Sequence, residues 1–219
     1  MRFIISYSCG KDSTLALHRM LADGHTPAGL LVMMNQDLNR SWFHGVDPRL
    51  LREISKSLAI PLLPCASSGE AYHLGMEQAL RDAKAAGAEA CVFGDIDIAD
   101  NAAWCRKRCE AAGIKAVFPL WQEDRNKLTL EFVDSGYTAL IKCIRNDMLP
   151  KTLLGKPFDR EAIRVIQEHG ADICGENGEF HTLAVDGPAF RYPVPYEVRE
   201  TLGFGTVSAV NITCAEHGF

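Results

Sequence analysis

The 219-residue chain lacks any apolar run that approaches the roughly 20 residues needed to span a membrane. We expect no secretory leader, because the first predicted strand starts almost at Met1. Repeats and low-complexity segments are absent, and the composition, 47% hydrophobic and 23% charged, is ordinary for a globular protein. We therefore expect a cytoplasmic protein of one large domain, or of one domain with a smaller second one.

Paired cysteines are lacking too. Eight cysteines are present, but none of their spacings gives the Cys-x-x-Cys pairs of a zinc framework. Cys105 and Cys109 lie four residues apart on a predicted helix, so their side chains share one face. We interpret them as packed core thiols, because free cysteine is among the most buried residue types. Half of a zinc site is the alternative.

Positive charge is not in excess. The 23 Lys and Arg residues stand against 28 Asp and Glu residues, which gives a net charge of −5. Because proteins that bind nucleic acid carry a basic surface, nucleic acid is not an expected partner. The basic run Arg106-Lys107-Arg108 is interpreted as the solvated face of a helix.

Residues 8–13, with the sequence SCGKDS, carry the densest functional signal. They follow the apolar run of a predicted buried strand and lead into a predicted helix. A helix N-terminus presents backbone N–H groups without intrahelical partners, so such a turn binds anions. Lys11 adds a positive charge, and Ser8 and Ser13 add hydroxyl donors. The pattern predicts a site for a phosphate chain.

Two positions in this loop need a separate explanation. Asp12 repels bare phosphate, but it fits beside a hydrated Mg²⁺ ion, which takes carboxylate and phosphate oxygens together. The alternative is that Asp12 only caps the helix. Cys9 is expected to have a negative φ, because a left-handed backbone costs a residue other than glycine about 1–2 kcal/mol.

Strands and helices alternate through the first half of the chain. Short apolar strands are predicted at residues 3–6, 28–34, 62–65, 90–93 and 116–118, and helices at 13–22, 48–57, 71–86 and 101–112. Gly24, Gly87 and Gly113 follow three of these helices, where a left-handed cap is expected. The alternation predicts an α/β fold with a parallel five-stranded sheet, whose ligand lies beyond the carboxyl ends of the strands.

The rhythm changes after Pro119, where a helix (126–134), a strand (138–143), a helix (159–169), a strand that ends in a turn (183–190) and a late strand (206–214) are predicted. We predict two domains, 1–124 and 125–219, the second a smaller α+β unit near the active edge of the first. Within it, residues 175–182 (GENGEFHT) combine glycines, two carboxylates and a histidine. Glycines permit close backbone approach, and carboxylates hold cations, bind ammonium or transfer protons. A polar hairpin without a ligand is the alternative.

The first loop resembles the Ser-Gly-Gly-x-Asp-Ser loop of the PP-loop ATP pyrophosphatases, with Cys9 in place of a glycine. The ordered set of motifs resembles the diphthine–ammonia ligase family of these enzymes over nearly the whole chain. The variant at residues 180–182 (FHT) is similar to the bacterial branch of that family. The landmarks are residues 8–13, 44–45, 93–96, 118–121, 175–182 and 186–188.

This resemblance implies a Rossmann-like HUP domain (the adenine nucleotide α-hydrolase type) followed by a family-specific substrate domain. It also implies an ATP-dependent amide-forming ligase, in which a carboxylate attacks the α-phosphate, pyrophosphate leaves, and ammonia displaces AMP. ATP and Mg²⁺ are the implied cofactors. ATP, ammonium and an acceptor carboxylate, on a small molecule or a protein, are the implied partners. The acceptor, the ammonia source and a homodimeric state stay open.

We expect the site residues to form two sets. The cofactor-binding set is Ser8, Cys9, Gly10, Lys11, Asp12, Ser13, Met33, His44, Gly94 and Asp95, with Asp12 and Asp95 as the Mg²⁺ ligands. The catalytic set is Lys11, Glu176, Glu179 and His181. Lys11 neutralises charge on the leaving pyrophosphate, the two glutamates bind acceptor or ammonia, and the histidine carries a proton. A helix cap at Asp95 and a surface histidine at His44 are the alternatives.

Two other functions remain open. A PP-loop sulfurtransferase would act through Cys9, whose place at a helix N-terminus near Lys11 is expected to lower its pKa. A non-catalytic sensor would bind ATP or AMP without releasing pyrophosphate.

Overall fold

A computed structural model describes residues 1–42 and 45–215 and contains two sheets. The first sheet and its helices come from the first half of the chain. Its elements are β1 (Arg2–Ser6), α1 (Lys11–Ala22), β2 (Thr26–Asn35), β3 (Arg40–Ser41), α2 (Pro48–Leu58), β4 (Leu62–Ser67), α3 (Tyr72–Ala85), β5 (Ala90–Val92), α4 (Ala99–Ala112) and β6 (Lys115–Val117).

Five strands of this sheet are parallel, in the spatial order β4-β2-β1-β5-β6. The short β3 pairs antiparallel with the end of β2. The chain winds outwards from β1 through β2 to β4, then returns to the other side of β1 for β5 and β6. The strand order therefore reverses between β1 and β5, and the crevice at such a point is where this kind of sheet binds ligands.

Both faces of the parallel sheet are covered, which explains its continuous apolar strands. Ile4 packs in a cluster with residues of α3 and α4, whereas Phe3 and Ile5 pack in a second cluster with residues of α1 and α2. Helices are therefore present on each side, as right-handed crossovers between parallel strands require.

The second half of the chain builds an antiparallel sheet in the order β8-β7-β10-β9. Its elements are α5 (Arg125–Asp134), β7 (Thr138–Arg145), a 3₁₀ turn (Lys151–Leu153), α6 (Arg160–Glu168), β8 (Phe180–Asp186), β9 (Tyr196–Phe204) and β10 (Val207–Cys214). One apolar cluster contains residues of both sheets. The two halves therefore share an apolar core.

The predicted fold class is confirmed: a Rossmann-like parallel sheet is followed by an α+β part with its own sheet. The left-handed caps are also confirmed at Gly24, Gly87 and Gly113, with φ of 75°, 91° and 67°. Two strands were not predicted. β3 has only two residues, too few to form a pattern. β9 is an edge strand whose residues are nearly all exposed. Its apolar residues Tyr196, Val198, Leu202 and Phe204 alternate as a strand requires, and this signal was missed. Within the described residues, no helix combines the length and the apolar character of a membrane span.

Candidate active site

A cavity of about 860 Å³ lies at the carboxyl ends of the parallel strands. The loop after β1, the loop after β5 and the start of β8 all contribute to its lining. The predicted site residues that line it are Ser8, Lys11, Asp12, Ser13, Met33, Gly94, Asp95, Glu176 and His181. The fold thus brings most of both predicted sets to one place.

The phosphate loop, residues 8–13, is held by its own hydroxyl groups. The Ser8 Oγ accepts the Gly10 N–H at 3.2 Å and lies 3.1 Å from the Ser13 Oγ, which itself donates to the Gly10 carbonyl. Gly10 occupies the N-cap position of α1 and has no side chain to cap it. The Thr182 Oγ1, on β8, accepts the Lys11 N–H at 3.0 Å instead. The second sheet therefore caps the helix that the first motif begins.

Cys9 has a φ of 67°, so the prediction of a negative φ was wrong. Its thiol is fully buried and its carbonyl accepts the Ala184 N–H of β8 at 2.7 Å. These contacts with the second sheet offset the cost of the left-handed backbone, which is about 1–2 kcal/mol. The expected lowering of the Cys9 pKa was wrong as well, because burial raises that pKa well above its ordinary value. The residue packs behind the loop and is outside the cavity lining.

The Lys11 ammonium is buried, with only 4% of the residue exposed. Its Nζ donates to both Asp12 carboxylate oxygens, at 2.6 and 2.8 Å, and lies 3.7 Å from the Cys174 Sγ. Burial lowers the Lys11 pKa, but the charge of Asp12, with smaller contributions from Cys174 and Glu176, outweighs burial and raises it. Lys11 is therefore a fixed positive charge that faces Asp12.

Glu176 enters the same cluster from the second motif. One ligand atom each of Asp12, Cys174 and Glu176 lie within 4.8 Å of one another. Burial, and then the charge of Asp12, raise the Glu176 pKa to about 7. Burial also raises the Cys174 pKa to about 11, so this thiol stays protonated at neutral pH. The cluster thus holds a carboxyl group that exchanges a proton near neutral pH.

Asp95 and Gly94 follow β5 on the other side of the phosphate loop. A Cβ on Gly94 would lie 2.7 Å from the Ser13 nitrogen and 2.8 Å from the Asp12 carbonyl carbon, so only glycine allows this close approach. Burial, and then the charge of Asp12, raise the Asp95 pKa. Asp95 is not a member of the Asp12–Cys174–Glu176 group.

Of the two remaining catalytic candidates in the second motif, His181 faces the cavity and Glu179 does not. The His181 ring is exposed to the cavity, and partial burial, together with the charge of Lys11, lowers its pKa. Glu179 is only 1% exposed, and its carboxylate accepts the backbone N–H groups of Asp172 and Asn177 and the Asn177 side-chain amide. Glu179 therefore points into its own loop and is outside the cavity lining.

The other end of the cavity is apolar. Trp42, Tyr72 and Trp104 form an aromatic group with ring centroids 5.9 and 5.8 Å apart. Met33 of β2 lies in this lining. Its backbone carbonyl accepts a hydrogen bond from the backbone N–H of Trp42 at 3.0 Å. Such a surface suits a flat heteroaromatic ring. The predicted contact at His44 falls outside the described residues.

Two sequence profiles for diphthamide synthase match this chain. The N-terminal domain of that family matches residues 1–116, and its C-terminal domain matches residues 124–213. The chain belongs to the diphthamide synthase family.

Curated members with the name diphthine–ammonia ligase are similar to the chain. The zebrafish (Danio rerio) protein is 25% identical over 226 residues, which cover 92% of this chain and 89% of the relative. The bovine (Bos taurus) protein is 28% identical over 98 residues, covering 43% of this chain and 37% of that protein. A solved structure described as a predicted subunit of tRNA methyltransferase from Methanocaldococcus jannaschii has a TM-score of 0.47 and 14% identity, over 89% of this chain and 100% of that one.

The predicted family is thus confirmed, and the structure of this diphthamide synthase family member adds site residues that sequence reasoning missed. Thr182 as a helix cap and the aromatic group at the apolar end had no sequence signal, because their partners are far apart in the chain. Arg125 had one. It begins a helix, where a positive charge opposes the helix dipole.

Proposed function

We propose that this chain uses ATP to join ammonia to a carboxylate, with release of AMP and pyrophosphate. The ATP-dependent, amide-forming class predicted from the sequence agrees with the family and with the names of its curated relatives. The use of ATP follows from the family. The acceptor carboxylate, on a small molecule or a protein, is part of the proposal, as is the division into domains 1–124 and 125–219.

The observation that carries this proposal is the meeting of two loops on one cavity. The phosphate loop is bonded to β8 through the Thr182 and Ala184 contacts, and Glu176 lies beside Asp12. A ligase of this type must hold a nucleotide and a second substrate with their reacting atoms adjacent. The first loop supplies the phosphate site, and the second loop supplies groups for the acceptor and ammonia.

Ser8, Ser13 and the N–H groups in the first turn of α1 that follow Lys11 bind the phosphates of ATP in this proposal. Lys11 acts from the lining of the cavity, where its positive charge offsets that of Asp12 and so lowers the cost of bringing a polyphosphate there. The adenine ring lies against the apolar end of the cavity, near Met33 and the aromatic group. Positioning and charge stabilisation are the main requirements of such phosphoryl chemistry.

Mg²⁺ is proposed as the metal because its preferred ligands are present. The described charged groups of the lining are the Lys11 ammonium and the carboxyl groups of Asp12, Asp95 and Glu176, so a polyphosphate needs a cation there. Asp12 and Asp95 are the predicted ligands, and Glu176 offers a further carboxylate oxygen within 4.8 Å of Asp12. A protonated Cys174 thiol is a poor ligand for a hard ion. When bound, Mg²⁺ neutralises charge on the leaving pyrophosphate.

Glu176 and His181 handle the acceptor and the nitrogen. With a pKa of about 7, Glu176 takes a proton from ammonium at neutral pH and leaves nucleophilic ammonia in the site. The His181 ring, with its lowered pKa, is a neutral hydrogen-bond partner for the acceptor. Glu179 has a positioning role in this proposal, because its carboxylate is bonded within the loop.

The formation of AMP, pyrophosphate and an amide from ATP, ammonium and a carboxylate tests the proposal. Purified protein is incubated with Mg-ATP, ammonium and fractions of cell extract, and AMP, pyrophosphate and incorporation of ¹⁵N from ammonium are measured. We expect equal amounts of AMP and pyrophosphate and a ¹⁵N amide in the product. Release of ADP and phosphate would contradict the proposal, and bound but uncleaved ATP across all fractions would favour the sensor.

A further inference from the structure

Arg125, the first residue of α5, connects two loops at the edge of the cavity. Its Nε and Nη2 donate to the two carboxylate oxygens of Asp97 at 2.6 and 2.7 Å. Its Nη1 donates to Asp172 at 2.5 Å and to the Asn177 side-chain oxygen at 3.3 Å. Arginine suits this position because its planar guanidinium presents donors on several edges at once.

The two loops carry different parts of the site. Asp97 belongs to the loop after β5, in which Gly94 touches the phosphate loop and Asp95 lines the cavity. Asp172 and Asn177 flank the segment that contains Cys174 and Glu176. Arg125 therefore fixes the distance between the part that holds phosphates and the part that holds Glu176.

The helix that Arg125 begins does not explain why an arginine stands there. As the first residue of a helix it faces the positive end of the helix dipole, which disfavours a cation by about 0.3–1 kcal/mol. Its side chain is 28% exposed and that of Asp172 is 14% exposed, so the pair is partly desolvated, unlike a surface ion pair. Arg125 is outside the cavity lining, which separates it from the groups that touch substrate.

Glu179 and Arg125 have complementary tasks. The Glu179 carboxylate accepts hydrogen bonds from both Asp172 and Asn177 and so sets the internal shape of the 172–179 loop. Arg125 bonds the same two residues from outside and ties them to Asp97. Glu179 thus sets the conformation of the 172–179 loop, and Arg125 sets the position of that loop relative to Asp97.

We propose that Arg125 is a positioning residue that holds the 172–179 loop, with Glu176, against the phosphate loop. The consequence for catalysis rests on the proposed ligase function, whereas the consequence for the loop does not. Arg125 acts through the two loops and does not touch the reacting atoms.

Amide hydrogen exchange of residues 172–179 in the unliganded protein tests the structural part. We expect exchange to be about tenfold faster in Arg125→Gln, with an intermediate rate in Arg125→Lys, which keeps the charge but loses the fork. Asp97→Asn is expected to add little to Arg125→Gln, because both remove the same connection. The control is Arg164→Gln, which also loses two ion pairs, with Glu161 and Glu168, but on the exposed face of α6. Equal exchange in Arg125→Gln and the control would overturn the proposal.

Pyrophosphate release with a responding extract fraction tests the catalytic part. We expect kcat to fall about tenfold or more in Arg125→Gln while the KM for ATP changes by less than about threefold, because the phosphate loop itself is intact. Partial recovery in Arg125→Lys is expected. Faster exchange without a loss of kcat would overturn the positioning role. If the wild-type protein releases no pyrophosphate, the proposed function fails, while the exchange rates still decide whether Arg125 holds the loop.

Discussion

At the level of single residues, the surroundings of Glu176 set its chemistry. The side chain is half-buried beside Asp12, and these two influences, burial first, raise its pKa from 4.5 to about 7. An exposed glutamate, with the ordinary pKa of 4.5, would be a much weaker base towards ammonium. The same loop on a different scaffold would therefore have a different reactivity.

This pKa predicts how stability depends on pH. Between pH 4.5 and 7 the folded protein keeps a proton on Glu176 that the unfolded chain releases, so stability falls as the pH rises through this range. The glutamine in Glu176→Gln carries no titratable group, so the variant does not lose this stability as the pH rises. Relative to wild type, we expect the variant to gain on the order of 2 kcal/mol between about pH 5 and about pH 8. Urea unfolding at both pH values measures the free energies of unfolding. The same difference between variant and wild type at both pH values would contradict the raised pKa of Glu176.

Cys9 gives a second prediction at this scale. Its thiol is buried, protonated and outside the cavity, so it is not available to carry sulfur. We expect Cys9→Ser to keep most of the pyrophosphate release of the wild type, measured with the same extract fraction. Loss of product with preserved folding, seen by circular dichroism, would instead favour the sulfurtransferase alternative.

At the level of elements, helix α1 depends on a strand of the other sheet. Thr182 of β8 caps its first turn, and Gly94 after β5 packs on the same turn. Both contacts come from residues far away in the sequence. The phosphate loop is therefore shaped by three elements that only the fold brings together.

Thr182→Val removes the cap with little change of shape. Thr182 is 2% exposed, so the Lys11 N–H is left without its partner in a buried place. We expect a loss of about 1–2 kcal/mol in the free energy of unfolding and weaker binding of ATP. Thr201→Val, on the exposed strand β9, is the control and should change stability by less than about 0.5 kcal/mol. Similar losses in both variants would argue against the cap.

Gly94→Ala tests the close approach of β5 to the phosphate loop. The added Cβ would lie within 3.0 Å of backbone atoms of Asp12 and Ser13, which cannot move without shifting α1. We expect a loss of about 1–3 kcal/mol and reduced affinity for ATP, measured by calorimetry. Gly203→Ala is the matched control, since its Cβ would meet no atom within 4 Å. Unchanged ATP affinity in Gly94→Ala would mean that the nucleotide does not use this turn.

At the level of the whole molecule, a common apolar core joins the two sheets, so we expect them to unfold together. All three tryptophans lie before residue 124, so their fluorescence reports the first sheet, whereas far-ultraviolet circular dichroism reports both. The two urea transitions are expected to coincide. In Gly187→Ala, whose Cβ would lie 2.2 Å from the Tyr137 ring in the second half, both midpoints should fall equally. Separate midpoints would show two independent units.

The sequence predicted the parts of this site that depend on neighbouring residues. The apolar runs, the SCGKDS loop and the glycine caps are local patterns, and the structure has them within a few residues of the predicted places. The meeting of residues 8–13 and 94–97 also followed from the sequence, because the carboxyl ends of parallel strands share one edge. β9 was missed although Tyr196, Val198, Leu202 and Phe204 give it the alternation of a strand; only the fold shows its pairing with β10.

What the sequence by itself determined is the parallel sheet and the SCGKDS turn at its edge, since hydrophobic period and glycine placement act over short stretches of chain. The tertiary structure alone decided the left-handed backbone of Cys9, the inward direction of Glu179, the cap from Thr182 and the bonds of Arg125. Each of these arises where segments distant in sequence come into contact. Burial and fixed charges there outweigh local preferences, and burial next to the charge of Asp12 likewise raises the pKa of Glu176 to about 7.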